Sequence, residues 1–209
     1  MNWNNLKGKF IVIDGPDGAG KSTQTLLLKE DMEKQGLAVL PVRDPGGTAI
    51  GEKIRRILLD NAHGEMSVRC EALLYMASRA QLFSQCIGPA LAAGKCVLCD
   101  RWVSSTYAYQ AVAGRIGPEV VLQLAQVSLE RTWPDLTIII DIPSAVGLGR
   151  VGDRPDRMEG KGDQFHRKVR EAFLELAKGR ADFRVVDGSG TVEQVHQRIR
   201  EVVKTYVSS

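Results

Sequence analysis

Five short, almost wholly apolar runs punctuate the chain: FIVID (10–14), LAVLPV (37–42), KCVLCD (95–100), LTIIID (136–141) and FRVVD (183–187). Runs of this length, apolar at successive positions, predict strands buried on both faces. Pro41 weakens the end of the second run. Between the runs, apolar positions recur at helical spacing. They predict helices over 21–35, 51–59, 68–91, 104–113, 118–130, 145–150, 164–178 and 192–206. Strands that alternate with helices in this way predict a five-stranded parallel sheet with helices on both faces. The expected fold is therefore an α/β three-layer sandwich, a single domain over 1–209. One stretch breaks the pattern: GRVGDRPDRMEGKGD (149–163) is charged, glycine-rich and nearly empty of apolar residues. A mobile surface segment with no share in the core is expected there.

Composition narrows the class. A chain of 209 residues, 44% hydrophobic and 25% charged, suits one ordinary globular domain. A net charge of +3 is too small for a nucleic-acid groove but favours small anionic ligands. The opening MNWNNLKGKF has no apolar stretch of signal-peptide length, and no later run approaches a membrane span. A cytoplasmic protein without membrane or nucleic-acid partners is expected. Of the four cysteines, Cys96 and Cys99 form a lone CxxC inside a strand, where positions i and i+3 face opposite sides. Buried reduced thiols fit that geometry better than a metal or a disulfide.

The chemistry begins at DGPDGAGKST (14–23). Gly15, Gly20, Lys21 and Ser22 match the spacing GxxxxGK followed by Ser or Thr, with a strand before and a helix after. Such a loop turns backbone N–H groups inward around phosphate oxygens, and the helix N-terminus adds positive potential. Gly15, Pro16, Asp17, Gly18, Ala19, Gly20, Lys21, Ser22 and Thr23 are the expected ATP-binding residues. Lys21 is expected at the β- and γ-phosphates and Ser22 on Mg²⁺. Asp100 ends the third strand at the carboxyl edge of the sheet, where ligands bind, and is the candidate second Mg²⁺ residue; a capping aspartate is the plainer alternative. Asp14 and Asp141 also end strands and are compatible with turn residues.

No guanine-reading NKxD segment is present, which removes a GTPase switch, and a large motor needs more chain. A nucleoside monophosphate acceptor is already an anion, so its kinase needs arginines rather than a base. Arg43, Arg55, Arg56, Arg79 and Arg101 stand at strand ends or on helices near them.

The segments FIVIDGPDGAGKST, VRDPGGTAIGEKIRRILL, EALLYMASRAQ, CDRWVSSTYAYQ and DRPDRME resemble, in order and over most of the chain, the bacterial thymidylate kinase family. The resemblance implies phosphorylation of dTMP to dTDP with ATP as co-substrate and Mg²⁺ as cofactor, in a homodimer. It implies that Asp17 lies near the acceptor 3′-hydroxyl and Pro45 against base or sugar. Arg55 and Arg101 would hold the acceptor phosphate. Tyr75 would stack on thymine, although its spacing alone favours a core aromatic, and Arg79 would reach the base. Ser105, Thr106, Tyr109 and Gln110 would complete the nucleoside pocket, with Tyr109 disfavouring a ribose 2′-hydroxyl. DGSG (187–190) would approach the donor adenine. The segment at about 149–163 would be a lid whose Arg150, Arg154 and Arg157 join Lys21 and Arg101 in catalysis, since Gly18 stands where some relatives carry arginine. Asp44, Tyr75 and Trp102 replace the family's commoner glutamate, phenylalanine and tyrosine or histidine. Another small P-loop nucleotide or deoxynucleoside kinase is the alternative, and a binding protein that has lost turnover is the reading from a different class.

Overall fold

The structure, a computed structural model, describes residues 3–152 and 155–208. Its strands are β1 (Phe10–Asp14), β2 (Val39–Arg43), β3 (Cys96–Asp100), β4 (Leu136–Asp141) and β5 (Phe183–Asp187). They are parallel and lie in the order β2-β3-β1-β4-β5. The second strand starts later than its apolar run, at Val39. Pro41 sits within it without conflict because β2 is an edge strand that pairs only with β3.

The helices are α1 (Lys21–Lys34), α2 (Ala49–Leu59), α3 (Val68–Leu82), α4 (Gly88–Ala92), α5 (Val103–Thr106), α6 (Pro118–Ser128), α7 (Ser144–Leu148), α8 (Asp163–Ala177) and α9 (Val192–Ser208). The long helix expected over 68–91 is interrupted: a π-helical turn, Phe83–Ile87, joins α3 to α4. A wider turn lets the helix carry Pro89, which offers no N–H to the turn before it. The 104–113 helix likewise widens into a π-helical segment, Tyr107–Ala113.

Alternation along β1 explains the three layers. Ile11 and Ile13 pack with Leu28 and Met32 of α1 and Ile199 and Val203 of α9. Phe10 and Val12 face the other way, onto Met76, Leu82, Trp102 and Val121. Cys96 belongs to the first cluster and Cys99 to the second, so the CxxC pair does face opposite sides and both thiols are free. Truncating a fully buried side chain such as Leu28 would cost about 2–5 kcal/mol.

Two parts of the 149–163 segment contradict the expectation that it stays out of the core. Met158 is buried among Tyr109, Ile139 and Phe173, and Arg157 is buried beside it. A single apolar residue is enough to dock a loop when its neighbours are charges with partners waiting on the body of the protein.

Candidate active site

β1 delivers the chain into a loop that side chains cannot enter. Gly15 (φ 138°), Gly18 (φ 70°) and Gly20 (φ 85°) take backbone conformations that L side chains rarely adopt. A Cβ on Gly15 would lie 2.4 Å from the Ile140 carbonyl oxygen, and one on Gly18 would lie 2.0 Å from that of Gly147. The loop is thus pressed between the ends of β4 and α7. α1 starts directly after Gly20, so its free N–H groups look into the loop.

Lys21 is buried and donates to the Pro16 carbonyl at 2.6 Å. Burial, seconded by the charge of Arg101, pulls its pKa down to about 8. Ser22 Oγ donates to Asp100 Oδ2 at 2.5 Å. A hydroxyl and a carboxylate so placed suit Mg²⁺, which usually takes one or two protein oxygens and completes its shell with phosphate and water. No cluster of three or more acidic, histidine or cysteine side chains competes for a metal among the described residues.

Asp14 is no turn residue. Fully buried, it accepts from the Gly15 N–H at 2.8 Å, from Ser104 Oγ at 2.6 Å and from Ser105 Oγ at 2.7 Å. It thereby ties the phosphate loop to the start of α5. Between them lies Arg101, whose backbone is left-handed (φ 72°). Holding a non-glycine residue there costs about 1–2 kcal/mol. The guanidinium offsets that by donating to the Gly15 carbonyl (3.1 Å), Ser105 Oγ (3.0 Å) and Asp17 Oδ1. Tyr109 donates to the other Asp17 oxygen at 2.7 Å. Burial works against the Asp17 carboxylate, yet Arg101, Lys21 and the Tyr109 hydroxyl outweigh it and hold its pKa below the usual range.

The far wall comes from α3. Arg79 is fully buried and grips Asp44 through Nε (2.8 Å) and Nη2; Nη2 also reaches the Trp102 carbonyl and Thr106 Oγ1. Burial pushes the Asp44 carboxyl up, and Arg79 only partly offsets it. Arg55 donates to the Pro45 carbonyl at 3.1 Å. Burial also raises the Tyr75 hydroxyl pKa, so that group stays neutral.

These groups surround one cleft of about 780 Å³. The structure brings together there Asp17 to Thr23, Pro45, Arg55, Tyr75, Arg79, Asp100, Arg101, Ser105, Thr106, Tyr109, Gln110 and Arg150. Gly188, Gly190 and Val192 close its other end, beside α1. Gly15 and Pro16 stand behind this lining, against β4 and Lys21. The three arginines of the expected lid part company. Arg150 donates to the Gly18 carbonyl at 3.3 Å. Arg154 lies outside the described residues. Arg157 does not line the cleft: its guanidinium is taken up by Glu71 Oε1 (2.5 Å) and the Leu58 carbonyl (2.8 Å).

Sequence reasoning passed over three residues here, Glu71, Gly147 and His166, and weighed a fourth, Asp14, only as a turn residue. Glu71 had a visible signal, a carboxylate at i−4 from Tyr75 and i−8 from Arg79 on one helix face. Gly147 has none, since its need for no side chain comes from the Asp17 carbonyl, 2.2 Å from where its Cβ would stand. His166 Nδ1 lies 3.6 Å from Asp17 Oδ2 and Nε2 lies 3.0 Å from the Glu159 carbonyl, contacts that only the folded chain creates.

Comparison with known proteins yields a consistent match. The thymidylate kinase family profile matches residues 13–199. A thymidylate kinase of Fervidobacterium nodosum is 41% identical over 199 residues, 95% of this chain and 100% of that protein. One of Pelobacter propionicus is 45% identical over 201 residues, 92% of each. Among solved structures, the thymidylate kinase from Ehrlichia chaffeensis superposes with a TM-score of 0.79 at 30% identity, over 95% of this chain and 99% of that one.

Proposed function

The chain belongs to the thymidylate kinase family, and from that premise we propose how its residues divide the transfer of a phosphoryl group from ATP to dTMP. The protein is an ATP:dTMP phosphotransferase. An oxygen of the dTMP phosphate attacks the γ-phosphorus of ATP, the bond from that phosphorus to the β,γ-bridging oxygen breaks, and ADP leaves with dTDP. The acceptor phosphate is largely dianionic at pH 7, so no general base is required. The task left to the protein is to align two polyanions and to spread the moving charge.

One observation carries the division of roles: Arg101 stands where loop and acceptor wall meet, bonded to Gly15, Ser105 and Asp17. From there its guanidinium serves the acceptor phosphate, while Lys21 and the loop N–H groups serve the donor. Arg55 assists Arg101. Asp17 and Tyr109 shape the sugar site, Tyr109 against a 2′-hydroxyl. Tyr75, Arg79, Thr106 and Gln110 face the base, with Pro45 at the edge. Arg150 serves the phosphates from the segment 149–163, which we read as a lid on a single domain; Arg154, outside the described residues, is assigned to the same task by the family resemblance alone. Ser22 and Asp100 would hold Mg²⁺, which supplies charge neutralisation at the donor phosphates.

A coupled assay with ATP, Mg²⁺ and a panel of nucleoside monophosphates tests the acceptor. dTMP is expected to be fastest, dUMP poor, and dCMP and GMP worse. A panel led by dCMP or a ribonucleotide would point to another small P-loop kinase. No helix of the described residues is long and apolar enough to cross a membrane; the cytoplasm is the proposed compartment. Exposed Leu73 on α3 and Val127 on α6 favour a homodimer through these helices. Light scattering on Leu73→Glu with Val127→Glu tests it, a monomer being expected.

A further inference from the structure

Glu71 sits on α3 one turn before Tyr75 and is 1% exposed. Three side chains converge on its carboxylate. Arg157 Nη1 donates to Oε1 at 2.5 Å, Lys161 Nζ to Oε1 and Oε2 at 2.8 and 3.1 Å, and Gln110 Nε2 to Oε2 at 3.0 Å. Burial opposes its charge, but Lys161, Arg157 and Gln110 together hold its pKa below the usual range. An ionised carboxylate only accepts. Gln110 can therefore turn only its NH₂ toward Glu71, because the reverse orientation would set two acceptors against each other. Its Oε1 receives no donor among the described residues, and Gln110 lines the cleft.

We propose that Glu71 is a positioning residue for base selection: it locks the Gln110 amide with its oxygen toward the acceptor base, and it couples that setting to the docking of residues 155–161. The proposal rests on reading this end of the cleft as the acceptor site. A pyrimidine with a ring N3–H, such as thymine, can donate to the fixed oxygen. Cytosine presents a lone pair at N3 and meets an acceptor with an acceptor. A site that leaves polar groups unpaired discriminates strongly, whereas a freely flipping amide does not. Arg157 and Lys161 both come from the lid, so the carboxylate is fully held only when that segment is seated.

Glu71→Gln keeps the shape and removes the lock, since a carboxamide can either donate or accept. The ratio of kcat/KM for dTMP over dCMP is expected to fall at least tenfold. The loss on dTMP should lie mainly in the acceptor KM, with the ATP KM unchanged. In a Gln110→Ala background Glu71→Gln should lower the ratio no further. A folded Glu71→Gln that keeps the wild-type ratio, or lowers it equally in both backgrounds, overturns the proposal. Should the variant not fold, the ¹⁵N-labelled wild-type chain decides. The Gln110 amide proton facing Glu71 is expected to exchange with solvent at least tenfold more slowly than those of exposed Gln197, and equal rates overturn the lock. Exchange needs no substrate, so a wild-type chain inactive on dTMP would reject the functional reading while leaving the amide orientation separately measured.

Discussion

Replacing Lys21 with methionine is expected to stabilise the nucleotide-free protein while destroying its activity. The buried ammonium has a pKa of about 8 instead of the usual 10.5. A drop of that size corresponds to ~3 kcal/mol by which the fold disfavours the charged form. Methionine fills a similar volume without charge, but it forfeits the bond to the Pro16 carbonyl, which offsets about 1 kcal/mol. The net expectation at pH 7 is ~2 kcal/mol in favour of Lys21→Met, or a Tm higher by about 4–8 °C for a chain of this size. The sign follows the protons. Below pH 8 the lysine is charged in both states and the full cost is present. Between pH 8 and 10.5 the unfolded chain binds more protons than the folded one, so wild-type stability rises with pH. Above 10.5 both states are neutral and the cost is gone. Urea unfolding of the two proteins at pH 7 and at pH 10, without nucleotide, measures the gap. It should be widest at pH 7 and should shrink at pH 10. ATP, whose phosphates reward the charge, should stabilise the wild type more than the variant, and turnover should fall roughly a thousandfold. A variant no more stable than wild type at pH 7, or a gap independent of pH, would refute the reasoning.

Arg101→Ala should weaken dTMP binding by about 2–3 kcal/mol and leave ATP affinity nearly intact, as separate titrations would show. Arg150→Ala should lower turnover roughly a hundredfold with unchanged dTMP affinity, whereas Arg157→Ala, which breaks a buried pair, should first lower the stability measured by urea unfolding, by about 3–5 kcal/mol. Asp44→Ala strands the Arg79 guanidinium in the core and should cost about 3–5 kcal/mol in denaturant unfolding, with a raised acceptor KM. Gly18→Ala drives a Cβ against the Gly147 carbonyl in a left-handed backbone and should cost about 2–4 kcal/mol, with loss of ATP binding by calorimetry.

What could be read from the sequence followed from local rules. Apolar runs and helical spacing located the five strands and the helices that cover them, and the glycine spacing located the phosphate loop. The π-helical turns at Phe83–Ile87 and Tyr107–Ala113 were hidden because a widened turn keeps the apolar spacing of its neighbours. The lid misled for a different reason. Composition counts apolar residues, and Met158 is the one that docks it; Arg157 and Lys161 look like solvated charge until Glu71 is placed beneath them. Asp14 and Asp100 both end strands, and only the pairing of β1 with β3 and the arrival of α5 give them different tasks.

The same geometry bears on where positive charge can enter the site. An arginine in the phosphate loop at the position of Gly18 would be one way to supply it. Here that position is closed: a Cβ on Gly18 would strike the Gly147 carbonyl, and a Cβ on Gly147 would strike that of Asp17, the residue before Gly18. An arginine at 18 would have to push α7 away before its guanidinium could reach a phosphate. Instead Arg150, three residues after Gly147, reaches back to the Gly18 carbonyl at 3.3 Å. The close contact that forbids a side chain on the loop is thus what brings a lid arginine to the same point. Gly18→Arg would therefore fail to rescue an enzyme lacking Arg150 unless Gly147 were displaced as well. A Gly18→Arg, Arg150→Ala double variant should turn over no faster than Arg150→Ala alone, measured with saturating ATP and dTMP. Recovery of activity in that variant would mean that α7 yields readily and that the two arginine positions are interchangeable in this fold.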